Sequence, residues 1–155
     1  MQLEYLREAI HLSRARMAAG EGGPFGALVE FEGQIVGRGW NRVVATNDPT
    51  AHAEVVAIRD ACTRLGRFSL AGCSIYSSCE PCPLCLAAIY WARLDGIYYA
   101  ATKADAAAIG FDDLAFYLEL ARAPEARRIR MQQALRDEAN EVLQAWYRKP
   151  DRIPY

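Results

Sequence analysis

Apolar residues recur at a helical spacing at the start of the chain. Leu3, Leu6, Ile10 and Met17, with alanines and charges between them, predict an amphipathic helix over residues 3–19, stopped by Gly20. Gly22-Gly23-Pro24-Phe25-Gly26 is a tight, backbone-rich turn. The pattern then becomes that of strands. Residues 27–31 form one, Glu32-Gly33 is a hairpin connection, and 34–40 return. Residues 41–50 are polar. Within them Asn47-Asp48-Pro49-Thr50 predicts a loop and a helix entry, with Thr50 capping a helix over 51–65 that ends at Gly66. A short strand over 73–78, a helix over 83–92 and a strand over 96–100 follow. This alternation after the hairpin predicts a layered α/β domain with parallel pairing.

The last third is less regular. Residues 103–120 read as helix interrupted at Gly110-Phe111-Asp112-Asp113, 126–131 as an edge strand, and 132–148 as a second amphipathic helix. The tail over 149–155 contains Pro150 and Pro154 and is not regular helix. There is no internal repeat, low-complexity segment or second domain boundary. The 155 residues are therefore expected to form one domain, 1–155.

Composition narrows the function classes. A hydrophobic content of 52% with 24% charge is that of a globular chain. No apolar run reaches the ~20 residues of a membrane span. A net charge of -1 gives no long-range attraction to nucleic acid or to an anionic membrane. Met1-Gln2-Leu3-Glu4-Tyr5 has no basic stretch leading into an apolar core, so a cytoplasmic protein is expected. Five cysteines is an odd count, and without an export signal it favours thiols and metal ligation over disulfides.

The cysteines draw attention to Ser77-Ser78-Cys79-Glu80-Pro81-Cys82-Pro83-Leu84-Cys85. Cys82 and Cys85 are three positions apart at a predicted helix start, and Pro83 suits a first helical turn. The positive end of the helix dipole there favours thiolates. Alone, this spacing fits half a zinc site, a redox pair or two buried cysteines. His52-Ala53-Glu54 lies at the start of the preceding predicted helix. In parallel α/β architecture such helix starts share one edge of the sheet, so His52, Cys82 and Cys85 converge there. One imidazole and two thiolates make an open three-ligand zinc set, the fourth position being left for water. Glu54, two positions from His52, reaches that water as general base and then general acid. His11, in the first helix, reads as an ordinary surface or core-edge residue. Cys62, Cys73 and Cys79 read as small buried hydrophobes. Glu80 reads as a structural residue orienting the cysteine loop.

The pattern H-x-E…P-C-x-x-C is the signature of zinc nucleobase deaminases. Over nearly its whole length the chain resembles the cytidine-deaminase-like superfamily, and within it the bacterial guanine deaminases. The residues that carry the resemblance are Gly23-Pro24-Phe25-Gly26-Ala27, Asn41, the run from Asn47 to Val55, the run from Ser78 to Cys85, Ala88-Ile89-Tyr90-Trp91-Ala92-Arg93 and Gly110-Phe111-Asp112-Asp113. The resemblance implies a three-layer α/β/α sandwich with a mixed five-stranded sheet. It implies hydrolysis of guanine to xanthine and ammonia, with Zn2+ as cofactor, hydroxide on the metal attacking the amino-bearing carbon, and Glu54 shuttling protons. It implies substrate contacts from Asn41, Phe25, Asp113 and Tyr155. It also implies a homodimer in which residues 132–155 swap onto the partner subunit and Tyr155 acts in trans.

Each implied contact has a plainer reading. Asn41 can close a strand, Phe25 can pack in the core, Asp112 and Asp113 can cap a helix, and Tyr155 can be a frayed terminus. Other substrates fit the same chemistry: cytosine, a triazine or a tRNA adenosine. Against the tRNA, the chain from Ala121 has eight Lys/Arg and five Asp/Glu, only a mild excess, with Arg127, Arg128 and Arg130 at its centre. A non-catalytic zinc module and a redox CxxC protein are readings of other classes. A free nucleobase, rather than nucleic acid or membrane, is the expected partner.

Overall fold

Two residues of positive φ, Glu32 at 51° and Gly33 at 77°, close a two-residue hairpin between β1 (Gly26–Phe31) and β2 (Gln34–Trp40). Paired left-handed residues match the twist of the flanking strands. The structure, a computed structural model, describes residues 1–154; Tyr155, expected at the site, lies outside the described residues. By its contacts the chain divides into two compact units, Met1–Asp113 and the segment from Leu114 onward.

The first unit holds α1 (Leu3–Ala18), the hairpin, a short turn of helix α2 (Val43–Thr46), α3 (Ala53–Leu65), β3 (Ser74–Cys79), α4 (Pro83–Trp91), β4 (Gly96–Ala101) and α5 (Lys103–Ala108). The sheet order is β2-β1-β3-β4. β1 is antiparallel to both neighbours, and β3 is parallel to β4. β2, β3 and β4 therefore all point the same way, and the helices that follow β2 and β3 begin at one edge of the sheet.

The period of two along the strands splits the core. Ala27, Val29 and Ile75 face α3 and α4, where Ala53, Ala57, Ala61, Leu70 and Ile89 close the larger cluster. Leu28 and Tyr76 face α1, where they meet Leu6 and Ala9. The result is three layers, as expected. On the α3 side the contact is backbone to backbone. A Cβ on Gly39 would lie 2.1 Å from the Ala53 carbonyl oxygen, and one on Gly37 would lie 2.4 Å from that of Ala57. Ala53, Ala57 and Ala61, one turn apart, present the matching stripe of small side chains.

Several expectations are corrected. The sheet has four strands among the described residues, not five. The predicted edge strand over 126–131 forms no ladder, because its backbone is engaged locally. Pro124–Ala126 is a 3-10 turn, the Arg127 guanidinium donates to the Leu120 and Arg122 carbonyls, and the Arg128 N–H donates to Glu119 Oε2 at 2.7 Å. Thr50 does not cap the helix that follows. Its hydroxyl and N–H both donate to Asp48 Oδ1, and His52 takes the cap position. The first helix buries Leu6, Ala9 and Ser13, while Leu3, Ile10 and Met17 remain exposed. Gly26 explains Ala9 and Ser13 on that face, since its Cβ would meet the Ala9 carbonyl at 2.5 Å and the Ser13 N–H nitrogen at 2.8 Å, and only small residues admit that approach.

The second unit contains α6 (Leu114–Ala121) and α7 (Arg136–Arg148). None of its described residues is buried. Val142, Leu143, Trp146 and Tyr147 form an exposed apolar stripe along α7. Among the described residues, no helix is long and apolar enough to cross a membrane.

The close contact of β2 with α3 gives a direct prediction. Gly39→Ala forces two backbones apart and lowers stability by about 3 kcal/mol, the upper end of overpacking costs. Urea unfolding checks this; an unchanged midpoint would show that the contact is looser than described.

Candidate metal and catalytic site

Two helix caps build the centre of the site. His52 caps α3 with φ -70° and ψ 154°, and Cys82 caps α4 with φ -67° and ψ 170°. Pro83 occupies the first turn of α4, where its missing N–H costs nothing. Both caps lie at the shared sheet edge, and Cys85 is buried in the first turn of α4. His52 Nδ1 lies 3.4 Å from Cys82 Sγ and 3.4 Å from Cys85 Sγ. The three ligand atoms lie within 4.8 Å of one another. Tetrahedral zinc with ordinary bond lengths sets an N···S separation of roughly 3.6 Å, so the donors fit that ion in number, type and spacing. The group offers three ligands among the described residues, which suits an open site rather than a closed structural one.

Protonation follows from the same contacts. The neighbouring Cys85 thiol, and after it the contact with His52, push the Cys82 thiol down. The same proximity of the two sulfurs, with burial, pushes Cys85 up. The contact with Cys82 raises the His52 imidazole against the effect of burial. A divalent cation takes the place of these protons when three such ligands bind it.

Glu54 lies against this group, only 6% exposed. Its Oε1 accepts from the Ser77 hydroxyl at 3.1 Å and its Oε2 from the Cys85 thiol at 3.3 Å. Burial pushes its carboxyl up.

Two of the other expected residues, Asn41 and Phe25, meet at one corner of the fold. Gly23 and Val43 N–H groups donate to Asn41 Oδ1 at 3.4 and 3.3 Å, leaving its amide N–H groups available to donate. Phe25 packs edge-on against Phe111, centroids 4.9 Å apart at 89°. A Cβ on Gly23 would lie 3.4 to 3.7 Å from Phe111, Phe25 and Asn41, so these three enclose one corner. Asp113 is half-buried and Asp112 exposed. Burial, and after it the Cys82 thiolate, push the Asp113 carboxyl up. Glu80 instead ties the strand end to α5 through the Lys103 N–H at 3.1 Å. Cys73 and Cys79 are buried and Cys62 half-buried, and none of them joins the metal group. His11 is exposed, midway along α1.

Sequence reasoning missed Ser77 and Phe111. Ser77 had a signal, since the alternation through Ile75 places it on the α3 face. Phe111 lies in the Gly110-Phe111-Asp112-Asp113 segment, but its contact with Phe25, distant in the chain, had no signal.

These features define a class. The chain belongs to the family of the cytidine and deoxycytidylate deaminase zinc-binding region, which matches residues 1–101. Particular relatives narrow it. The chain is 49% identical to the guanine deaminase of Bacillus subtilis (strain 168) over 142 residues, 92% of this chain and 91% of that one. The X-ray structure of the Bacillus subtilis guanine deaminase superimposes with a TM-score of 0.96, covering 100% of this chain and 99% of that one at 45% identity. A guanine deaminase from Nitrosomonas europaea gives a TM-score of 0.66 at 34% identity, over 91% of this chain and 82% of that one. The tRNA-specific adenosine deaminase of Agrobacterium fabrum (strain C58 / ATCC 33970) is 45% identical over 78 residues, 50% of this chain and 51% of that one.

The ligand set predicts that purified protein carries a stoichiometric zinc ion. His52→Ala and Cys85→Ala each release it, with affinity lower by at least about 100-fold. Plasma emission after dialysis measures this, and full metal content in either variant would exclude that residue as a ligand.

Proposed function

We propose that this protein is a zinc-dependent guanine deaminase that hydrolyses guanine to xanthine and ammonia. The observation that carries the reading is the 49% identity to a guanine deaminase across 92% of the chain and 91% of that enzyme. The tRNA-specific adenosine deaminases, by contrast, match at 36–45% identity over 50–70% of the chain.

The residues present suit the reaction. His52, Cys82 and Cys85 would hold the zinc, which when bound supplies a Lewis acid that makes water nucleophilic near neutral pH. Glu54 takes a proton from the attacking water and delivers it to a ring nitrogen, then carries the proton of the added hydroxyl to the amino group, so that the C–N bond breaks, the carbonyl forms and ammonia departs. Asn41 donates from its free amide N–H groups to an acceptor edge of the base. Asp113 accepts from ring N–H or amino donors. Guanine offers both, with acceptors at N7 and O6 and a donor at its 2-amino group. The Phe25 ring, braced by Phe111, supplies an apolar face for the flat purine. Hydrogen-bond partners of this kind discriminate strongly, because an analogue lacking one leaves a buried polar group unpaired.

The active unit in this proposal is a homodimer. Residues 132–155 dock on a second copy and bring Tyr155 into that copy's site. The exposed stripe Val142, Leu143, Trp146 and Tyr147 supports this, since a helix with such a face needs a partner surface.

A panel of free bases and nucleosides, followed by ammonia release, tests the reading. Guanine is turned over, and Glu54→Ala lowers that rate by at least ~1,000-fold with zinc retained. Release from cytosine or adenine with none from guanine would overturn the substrate. Removing residues 151–155 sharply lowers turnover without loss of zinc; unchanged turnover would rule out a role for the tail.

A further inference from the structure

Ser77 is the one polar side chain on the α3 face of β3 that lies at the site yet has no assigned part in it. It is 1% exposed. Ile75, two residues earlier, belongs to the core beneath α3, so the strand alternation aims Ser77 at α3 as well. Ala27 on β1, fully buried, is its cross-strand neighbour and supplies no hydrogen bond from its side chain. The Ser77 hydroxyl hydrogen goes to Glu54 Oε1 at 3.1 Å. Its oxygen accepts the Cys79 N–H at 3.4 Å. That second bond fixes the hydroxyl, and Cys79 ends the strand that leads into Cys82.

The two oxygens of Glu54 therefore stand in different surroundings. Oε1 is anchored to the sheet by Ser77. Oε2 lies on the ligand side, where it accepts from the Cys85 thiol at 3.3 Å. A ligating cysteine is a thiolate with no proton to give, so metal binding removes that donor from Oε2 and leaves the anchor on Oε1 intact.

We propose that Ser77 is a positioning residue for the deamination. It holds Glu54 by Oε1 in the rotamer that turns Oε2 alone toward the attacking water and the leaving amino group. The inference rests on the reading of Glu54 as proton carrier. It divides the carboxylate into an anchored oxygen and a working one. Orientation of this kind acts on the transition state, so it appears in kcat and leaves KM in place.

The test compares steady-state guanine turnover, zinc content and the visible spectrum of the cobalt-substituted enzyme. Ser77→Ala lowers kcat by roughly 10- to 100-fold, the range typical of hydrogen-bond partners behind a metal site, with KM, zinc content and cobalt spectrum unchanged. Ser77→Thr, which keeps the hydroxyl, restores most of the rate. On a Glu54→Gln background Ser77→Ala changes the residual rate no further, because its effect passes through that carboxylate. If Ser77→Ala does not fold, Ser77→Cys, nearly isosteric and a weaker donor, carries the same comparison. A folded Ser77→Ala enzyme with wild-type kcat overturns the inference. So does a loss of kcat that tracks a loss of zinc. Full activity in Glu54→Ala would instead refute the role of Glu54, a result separable from either.

Discussion

The close approach of α3 to β2 sets the geometry on which the rest of the site depends. Gly37 and Gly39 leave no side chain between the strand and the helix, and the Ala53, Ala57 and Ala61 stripe lets the backbones nearly touch. A helix held that tightly has little freedom to slide or roll. Its first residues, His52 and Glu54, are thereby fixed against the sheet edge where β3 delivers Cys82. Because β2 and β3 point the same way, the starts of α3 and α4 meet at one place. The metal group is the meeting of two helix caps, each held by packing several residues away.

Burial then gives the cluster its chemistry. A nearly enclosed carboxylate beside a histidine and two thiols is costly in a resting protein, and its raised affinity for protons records that cost. In the proposed reaction, the same enclosure suits Glu54 to carrying a proton between water and a leaving group at neutral pH. Around this centre the rim is polar in a directed way. Asn41 has its oxygen committed to two backbone N–H groups and so can only donate, while the Asp113 carboxylate accepts. Acceptors and donors on different edges of a planar base match that polarity.

Much of this was legible in the sequence because the chemistry demands particular residues at particular spacings. His52, Glu54, Cys82 and Cys85 were readable from their spacing and from the helix starts they imply, and the structure brings all four together. The hairpin was legible from Glu32-Gly33. Boundaries and faces were not. Thr50 looks like a cap, but the Asp48 side chain claims its hydroxyl and the helix begins two residues later, with a metal-ligand candidate at its cap. In α1 the face against β1 is built from Ala9 and Ser13 because Gly26 approaches them closely, a constraint imposed from another element. A fifth strand over 126–131 was expected from local pattern alone, yet a strand needs a long-range partner, and here local hydrogen bonds at the end of α6 take its place. Ser77 shows the converse: its face could be read from alternation, but its importance emerges only once Glu54 is seen above it.

The account stands on a metal held by His52, Cys82 and Cys85 working with Glu54 on guanine. The most direct measurement is guanine turnover by protein stripped with a chelator and then titrated with zinc. The account predicts no xanthine from the stripped protein and a rate that rises in proportion to bound zinc, saturating at stoichiometric metal. Undiminished turnover in fully stripped protein, or restored metal without restored turnover, would contradict it.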